Sequence, residues 1–302
     1  MRSPGAVRGT AESKMIRQSS QGLLVALLAP ALLGLLVFRL YPIAIAVVSS
    51  FYTTVHGSTV FTGLENYESL ISDHVFWRSL RVTLWFNLLV NPIQIAISLG
   101  LALLYIRKFP GASVYRIFFL IPIGVSVPVA AIVWRIMLSQ GGLVNGLLDL
   151  VGVAPQPWLT SSSLALYSII AIATWKGASY WMIFIVGGLQ NISPELYDAA
   201  RVDGVRPWQR LLFITLPLLR PALLFVLAAD VSINFLLFAP IYMLTQGGPA
   251  GSTDVLMYEA YKQGFIFGDM GRAMAMVVVI VAILLIVVGL QFRLLSAREQ
   301  GA

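Results

Sequence analysis

Six apolar runs recur along the chain, at roughly 22–51, 79–106, 114–138, 163–187, 221–245 and 270–293. Crossing about 30 Å of hydrocarbon takes about 20 residues of helix at about 1.5 Å per residue, and each run is long enough. Charge is scarce to match. Only 11% of the 302 residues are charged, where soluble domains carry about a quarter. The expected fold is an all-α polytopic membrane protein with six transmembrane helices over 22–293, between polar tails at 1–21 and 294–302. Pro30 and Pro42 predict kinks in the first span, and Pro92, Pro122 and Pro128 interrupt the second and third. The first run is too long for the apolar region of a secretory signal and lacks a small-residue cleavage site in the usual place.

Orientation follows from the basic residues. With the N-terminus inside, thirteen Arg and Lys fall on the cytoplasmic side, among them Arg107, Arg201, Arg206 and Arg210. Only Arg78, Arg81, Lys262 and Arg272 fall outside, a clear positive-inside bias. Both termini and the loop 188–220 are then cytoplasmic. Two outer segments are longer than hairpins: 52–78, with an amphipathic surface helix expected from Leu64 to Leu80, and 139–162, an irregular loop with a short helix. The net charge of +7 is therefore read as topology rather than as a nucleic-acid footprint.

The chemistry that is missing narrows the field. The chain has no cysteine, so no disulfide or thiolate site, and its two histidines, His56 and His74, both lie outside. It contains no phosphate-binding Gly-x-x-x-x-Gly-Lys-Ser/Thr, no His-Glu-x-x-His and no Gly-x-Ser-x-Gly. A membrane enzyme would need a catalytic constellation that these residues do not supply.

The cytoplasmic loop "QNISPELYDAARVDGVRPWQRLLFITLPLLRP" breaks the apolar pattern between spans four and five. Ser193 can cap a helix whose first position is Pro194, with Glu195 and Asp198 near its positive end. Gly204 stands where a left-handed residue would end that helix. A second helix starts near Pro207, with Trp208, Leu211, Leu212 and Thr215 on one face, and Pro217 is expected to stop it. Small Ala199 and Ala200, flanked by charge, suit insertion into a partner's cleft; an amphipathic loop resting on lipid headgroups fits the same pattern.

This stretch resembles the EAA loop of ABC-importer permeases: Glu-Ala-Ala, three residues, Gly, nine residues, Ile, one residue, Leu-Pro. Asp198, Ala199, Ala200, Gly204, Ile214, Leu216 and Pro217 match at every spacing, with Asp198 where that pattern has Glu. A second match, Thr245, Gly247, Gly248, Pro249 and Thr253, resembles the Thr-x-Gly-Gly-Pro loop of carbohydrate permeases. With a first helix ahead of a five-helix core, the chain resembles MalF-like permeases with a MetI-like core, and within them the SugA-type subunit of trehalose importers.

That resemblance implies a permease subunit in a bacterial cytoplasmic membrane, moving a carbohydrate, a disaccharide such as trehalose, by alternating access. It implies a heterodimer with a second permease, two ATP-binding subunits and an extracytoplasmic solute-binding protein, in a lipid bilayer. ATP and Mg would be held by the ATP-binding subunits, with no cofactor on this chain. Asp198, Ala199, Ala200, Asp203, Gly204 and Pro217 would belong to the loop that docks on the ATPase.

Ionisable residues inside spans are functional candidates. Lys176 and Asp230 lie at matched depth, about 14 to 16 Å from the inner ends of spans four and five. They either pair with each other or face a polar pathway separately. Asn234 stands one turn from Asp230, and Asn87, Asn91, Gln94 and Ser98 form a polar stripe on span two. Trp175, Tyr180 and Trp181 surround Lys176. Hydroxyl-binding groups and flat aromatic faces together suit a sugar, and interhelical hydrogen bonding accounts for the same residues. A proton-coupled secondary transporter working through Lys176 and Asp230 is the rival reading, but it leaves the Gly204 loop unexplained.

Overall fold

A computed structural model describes residues 27–55, 58–107 and 110–296. The tail expected at 1–21, the first residues of span one, His56 and residues 297–302 lie outside the described residues.

Helix α1 (Leu27–Ser49) contains a π-helical turn, Leu36–Leu40, between its two prolines. None of its residues is buried, and it packs at the edge of the bundle. A hairpin of β1 (Tyr52–Val55) and β2 (Ser58–Phe61) follows, with Tyr52 opposite Phe61. The all-α reading assigns no strand here, yet "YTTV" and "STVF" are β-branched and aromatic sequences that favour strands. Asn66 ties the hairpin down: its Nδ2 donates to the Ser50 and Tyr52 carbonyls at 2.9 and 3.0 Å.

The expected helix from Leu64 to Leu80 divides at Asp73. Helix α2 (Glu65–Ser72) stops there, and the Asp73 carboxylate accepts from Val75 N–H at 2.7 Å, capping α3 (His74–Tyr105). Span three is the largest departure from a simple kink. Helices α4 (Ala112–Gly124) and α5 (Val127–Met137) meet at 106°, with Pro122 and Pro128 on either side of the break. Helix α6 (Leu143–Asp149) lies in the second outer segment, and α7 (Ala165–Gln190) is span four.

Helix α8 (Pro194–Val202) leads into α9, which runs unbroken from Pro207 to Phe235. Pro217 therefore does not end the second loop helix. A π-helical turn at Leu211–Thr215, in which Leu216 N–H bonds the Leu211 carbonyl, widens the ladder just ahead of the proline. The span ends at Phe235 rather than 245; short helices α10 (Ala239–Leu244) and α11 (Leu256–Tyr261) flank the outer loop before α12 (Met270–Ser296).

Helices α3 and α7 form the most extensive pair, with α9 against both and α4 against α7. One core cluster gathers Phe86, Val90, Ile169 and Ile241 toward one end of the bundle, and another gathers Met182, Ile185, Leu219 and Val226 toward the end that carries α8. Lipid is as apolar as these side chains, so close packing and buried hydrogen bonds hold such helices together. That places α3, α7 and α9 around any interior route.

Candidate functional site

The loop between spans four and five is a rigid helix–turn–helix. The Ser193 hydroxyl accepts from Glu195 N–H at 3.3 Å, with Pro194 at the first helical position. Gly204 has φ +69°, its N–H reaching the Arg201 carbonyl while Val205 N–H reaches that of Ala200, a Schellman ending. Tyr197 and Thr215 hydroxyls lie 3.2 Å apart and link the two helices. Asp198, Ala199, Asp203, Gly204 and Pro217 are exposed, and Asp198 pairs with Arg201. Ala200 departs from expectation: it is buried within the chain, so of the two alanines only Ala199 is presented outward.

Inside the bundle, the break between α4 and α5 opens a cavity of about 370 Å³ against α3, α7 and α9. Gln94, Lys176, Tyr180, Asp230 and Asn234 all line it, among mostly apolar neighbours. Gln94 donates to the Ala173 carbonyl at 2.8 Å, and a Cβ at Gly177 would fall on its amide, so glycine there makes room for it. Asn234 Nδ2 lies 2.7 Å from Asn91 Oδ1, 3.0 Å from Gln94 Oε1 and 3.0 Å from Asp230 Oδ1. Asn91 does not line the cavity and meets it only through its hydrogen bond to Asn234. Trp175 points elsewhere, edge-on to Trp134 at 5.7 Å, and lines a separate groove.

Lys176 and Asp230 share the cavity but form no ion pair among the described residues. The Lys176 ammonium donates to the carbonyls of Pro122 (3.1 Å) and Val125 (2.5 Å), at the end of α4. A helix C-terminus has unpaired carbonyls and a negative dipole end, and the break supplies one within the membrane. Asp230 Oδ1 accepts from Trp181 Nε1 at 2.6 Å. Its other oxygen, Oδ2, is buried and has no hydrogen-bond partner among the described residues. Matched depth along two helices thus put both charges on one cavity without turning them toward each other.

Sequence reasoning missed a buried ionic cluster beneath the outer loop. Asp254 is 2% exposed, with Lys262 at 2.8 Å and Arg78 at 3.8 Å, and Lys262 also pairs with Glu259. Burial pushes the Asp254 carboxyl up to about 6, against the opposing pull of Lys262. The Lys262 ammonium is lowered by burial but held above its ordinary range overall by hydrogen bonds to Asp254 and Glu259. The cluster backs the Thr-x-Gly-Gly-Pro segment, where Thr253 Oγ1 donates at 2.7 Å to either Thr245 Oγ1 or the Gly248 carbonyl. The acid-to-base spacing of Glu259 and Lys262 on one helical turn was the available signal.

Residues 94–300 match the family model described as the binding-protein-dependent transport system inner membrane component. The chain is 36% identical to the lactose transport system permease protein LacF of Rhizobium radiobacter, covering 90% of this chain and 93% of that one. It is 32% identical to the trehalose/maltose transport system permease protein MalF of Thermococcus litoralis, over 84% and 86%. The sn-glycerol-3-phosphate transport system permease protein UgpA of Agrobacterium fabrum is 32% identical, over 90% and 94%. Among solved structures, a chain of a bacterial ABC transporter involved in the import of the acidic polysaccharide alginate superimposes with a TM-score of 0.79 at 22% identity. That superposition covers 95% of this chain and 99% of the other. Relatives at similar identity carry different solutes in their names, so the similarity does not single out a trehalose type.

Proposed function

The chain belongs to the family of binding-protein-dependent transport system inner membrane components, and from that premise we propose that it is one permease of an ATP-driven carbohydrate importer, carrying a disaccharide such as trehalose. As a multi-pass inner-membrane permease of this family it is a transport component, not an enzyme. Its partners are a second permease, forming a heterodimer, two ATP-binding subunits that hold ATP and Mg, and an extracytoplasmic solute-binding protein. Asp198, Ala199, Asp203 and Gly204, exposed on a capped and cross-linked helix pair, form the ATPase dock. A stiff connector transmits displacement to the spans it joins, α7 and α9, which also wall the cavity.

The observation that supports a sugar route is the unpartnered Asp230 Oδ2 on an otherwise mostly apolar cavity at the break in span three. A buried polar atom left without a partner costs about 1–3 kcal/mol, and a sugar hydroxyl can supply the missing proton. Tyr180 and Trp181 offer aromatic faces beside it. The proton-coupled alternative loses its motive, because Lys176 is engaged by carbonyls and not by Asp230.

The test is uptake of radiolabelled trehalose and lactose by cells carrying the complete importer. Asp230→Asn, which keeps the shape and the Oδ1 acceptor, should raise KM for the transported sugar with normal protein level. An unchanged KM and rate in Asp230→Asn and in Asp230→Leu would place the sugar elsewhere.

A further inference from the structure

At the inner end of α3 a groove of about 560 Å³ lies between the last turn of that helix and the start of α9. One wall is apolar: Leu103 and Ile106, the end of a spanning helix, so this wall lies at the edge of the hydrocarbon. The other wall is Trp208, 53% exposed, a side chain suited to the membrane–water boundary. Above the apolar floor stand Arg107, one residue past Ile106, and Arg210, whose guanidinium lies 5.8 Å over the Tyr197 ring.

The charge is unbalanced. Among the described residues no acidic side chain lines the groove. Arg107 and Arg210 form no ion pair among the described residues, whereas Arg201, also at the rim, is neutralised by Asp198. An apolar slot with two guanidinium groups at its rim that form no ion pair among the described residues has the layout of a phospholipid, acyl chain against the apolar wall and phosphate at the arginines. Guanidinium forks match phosphate oxygens in pairs, and a net negative headgroup answers the surplus charge.

We propose that this groove is a binding site for an anionic glycerophospholipid of the inner leaflet, seated beside the helix pair that joins α7 to α9. The ATPase is the other candidate occupant, and the geometry disfavours it. Asp198, Ala199, Asp203 and Gly204, the residues presented for docking, do not border the groove. The proposal holds whatever solute the importer carries, since it depends only on the inward orientation of the arginine-rich side.

The experiment is native mass spectrometry of the intact complex, released from mild detergent and titrated with phosphatidylglycerol or phosphatidylcholine. The wild type should retain phosphatidylglycerol preferentially. Basic residues near an anionic surface contribute about 1 kcal/mol each, about fivefold in affinity. Arg107→Gln with Arg210→Gln should therefore weaken phosphatidylglycerol retention about 25-fold and leave phosphatidylcholine unchanged. The paired Lys variants, which keep the charge, should retain most of the binding and exclude misfolding as the cause of the loss. Equal retention of both lipids would overturn the proposal. So would displacement of phosphatidylglycerol by inorganic phosphate at equal concentration, which would mark a free-phosphate site. Loss of the ATPase from the Gln variant with lipid retention intact would also overturn it, by assigning the groove to the ATPase.

Discussion

Gly177→Ala is a small change with a calculable consequence. A Cβ at this position falls on the Gln94 amide, where α7 crosses α3. Gln94 is a flexible side chain and can swing away, but it then loses the Ala173 carbonyl at 2.8 Å and the Asn234 amide at 3.0 Å. Interhelical hydrogen bonds in membranes average about 0.6 kcal/mol and reach about 1.7, so the two together are worth about 1–3 kcal/mol. Gly177→Ala should lower stability by that amount, and so should Gln94→Ala, which removes the same two bonds. The double variant should be no worse than Gln94→Ala alone, because the clash has gone with the side chain. The expected coupling is then about 1–3 kcal/mol, well above the scatter of independent sites. Unfolding of the purified protein in mild detergent measures all four corners. Losses that add to within about 0.5 kcal/mol would show that positions 177 and 94 do not meet.

At the loop, Gly204→Val forces a β-branched residue to φ +69° and should abolish uptake while leaving protein level and membrane insertion normal. Normal uptake in that variant would remove the loop from the coupling path. Lys176→Met and Asp230→Leu should lower folded yield additively, since their partners differ; recovery in the double variant would mean that the charges do meet. Asp254 titrates at about 6 in the native protein, against about 3.9 unfolded. The native state therefore holds the extra proton between these values, and stability falls as pH rises from about 4 to 6. Melting temperature followed across that window should decline in the wild type and stay flatter in Asp254→Asn; identical profiles would show that Asp254 does not titrate there.

Apolar length alone makes the spans legible, because bilayer thickness fixes how many residues each needs. Pro122 and Pro128 signalled a break in span three, but a proline says nothing of the angle, and 106° decides that a cavity forms. Counting residues gives the depth of Lys176 and Asp230 but not the direction each side chain takes. The carbonyls freed by the break captured the lysine first. Pro217 misled because the π-turn ahead of it lets the helix continue, and no local composition announces such a turn. Gly204 and Ser193 behaved as local chemistry dictates, since capping depends on neighbours in sequence and not on the rest of the fold. Asp254 and Glu259 were passed over for the opposite reason: only tertiary packing buries them.

Isolating this chain under mild detergent decides whether it is one permease of an ATP-driven importer. Intact-complex mass should correspond to this chain, one different six-span protein and two copies of an ATP-binding subunit, with nucleotide photolabel confined to the last. Isolation of this chain alone or as a homodimer, catalysing sugar uptake in liposomes without ATP, would contradict it.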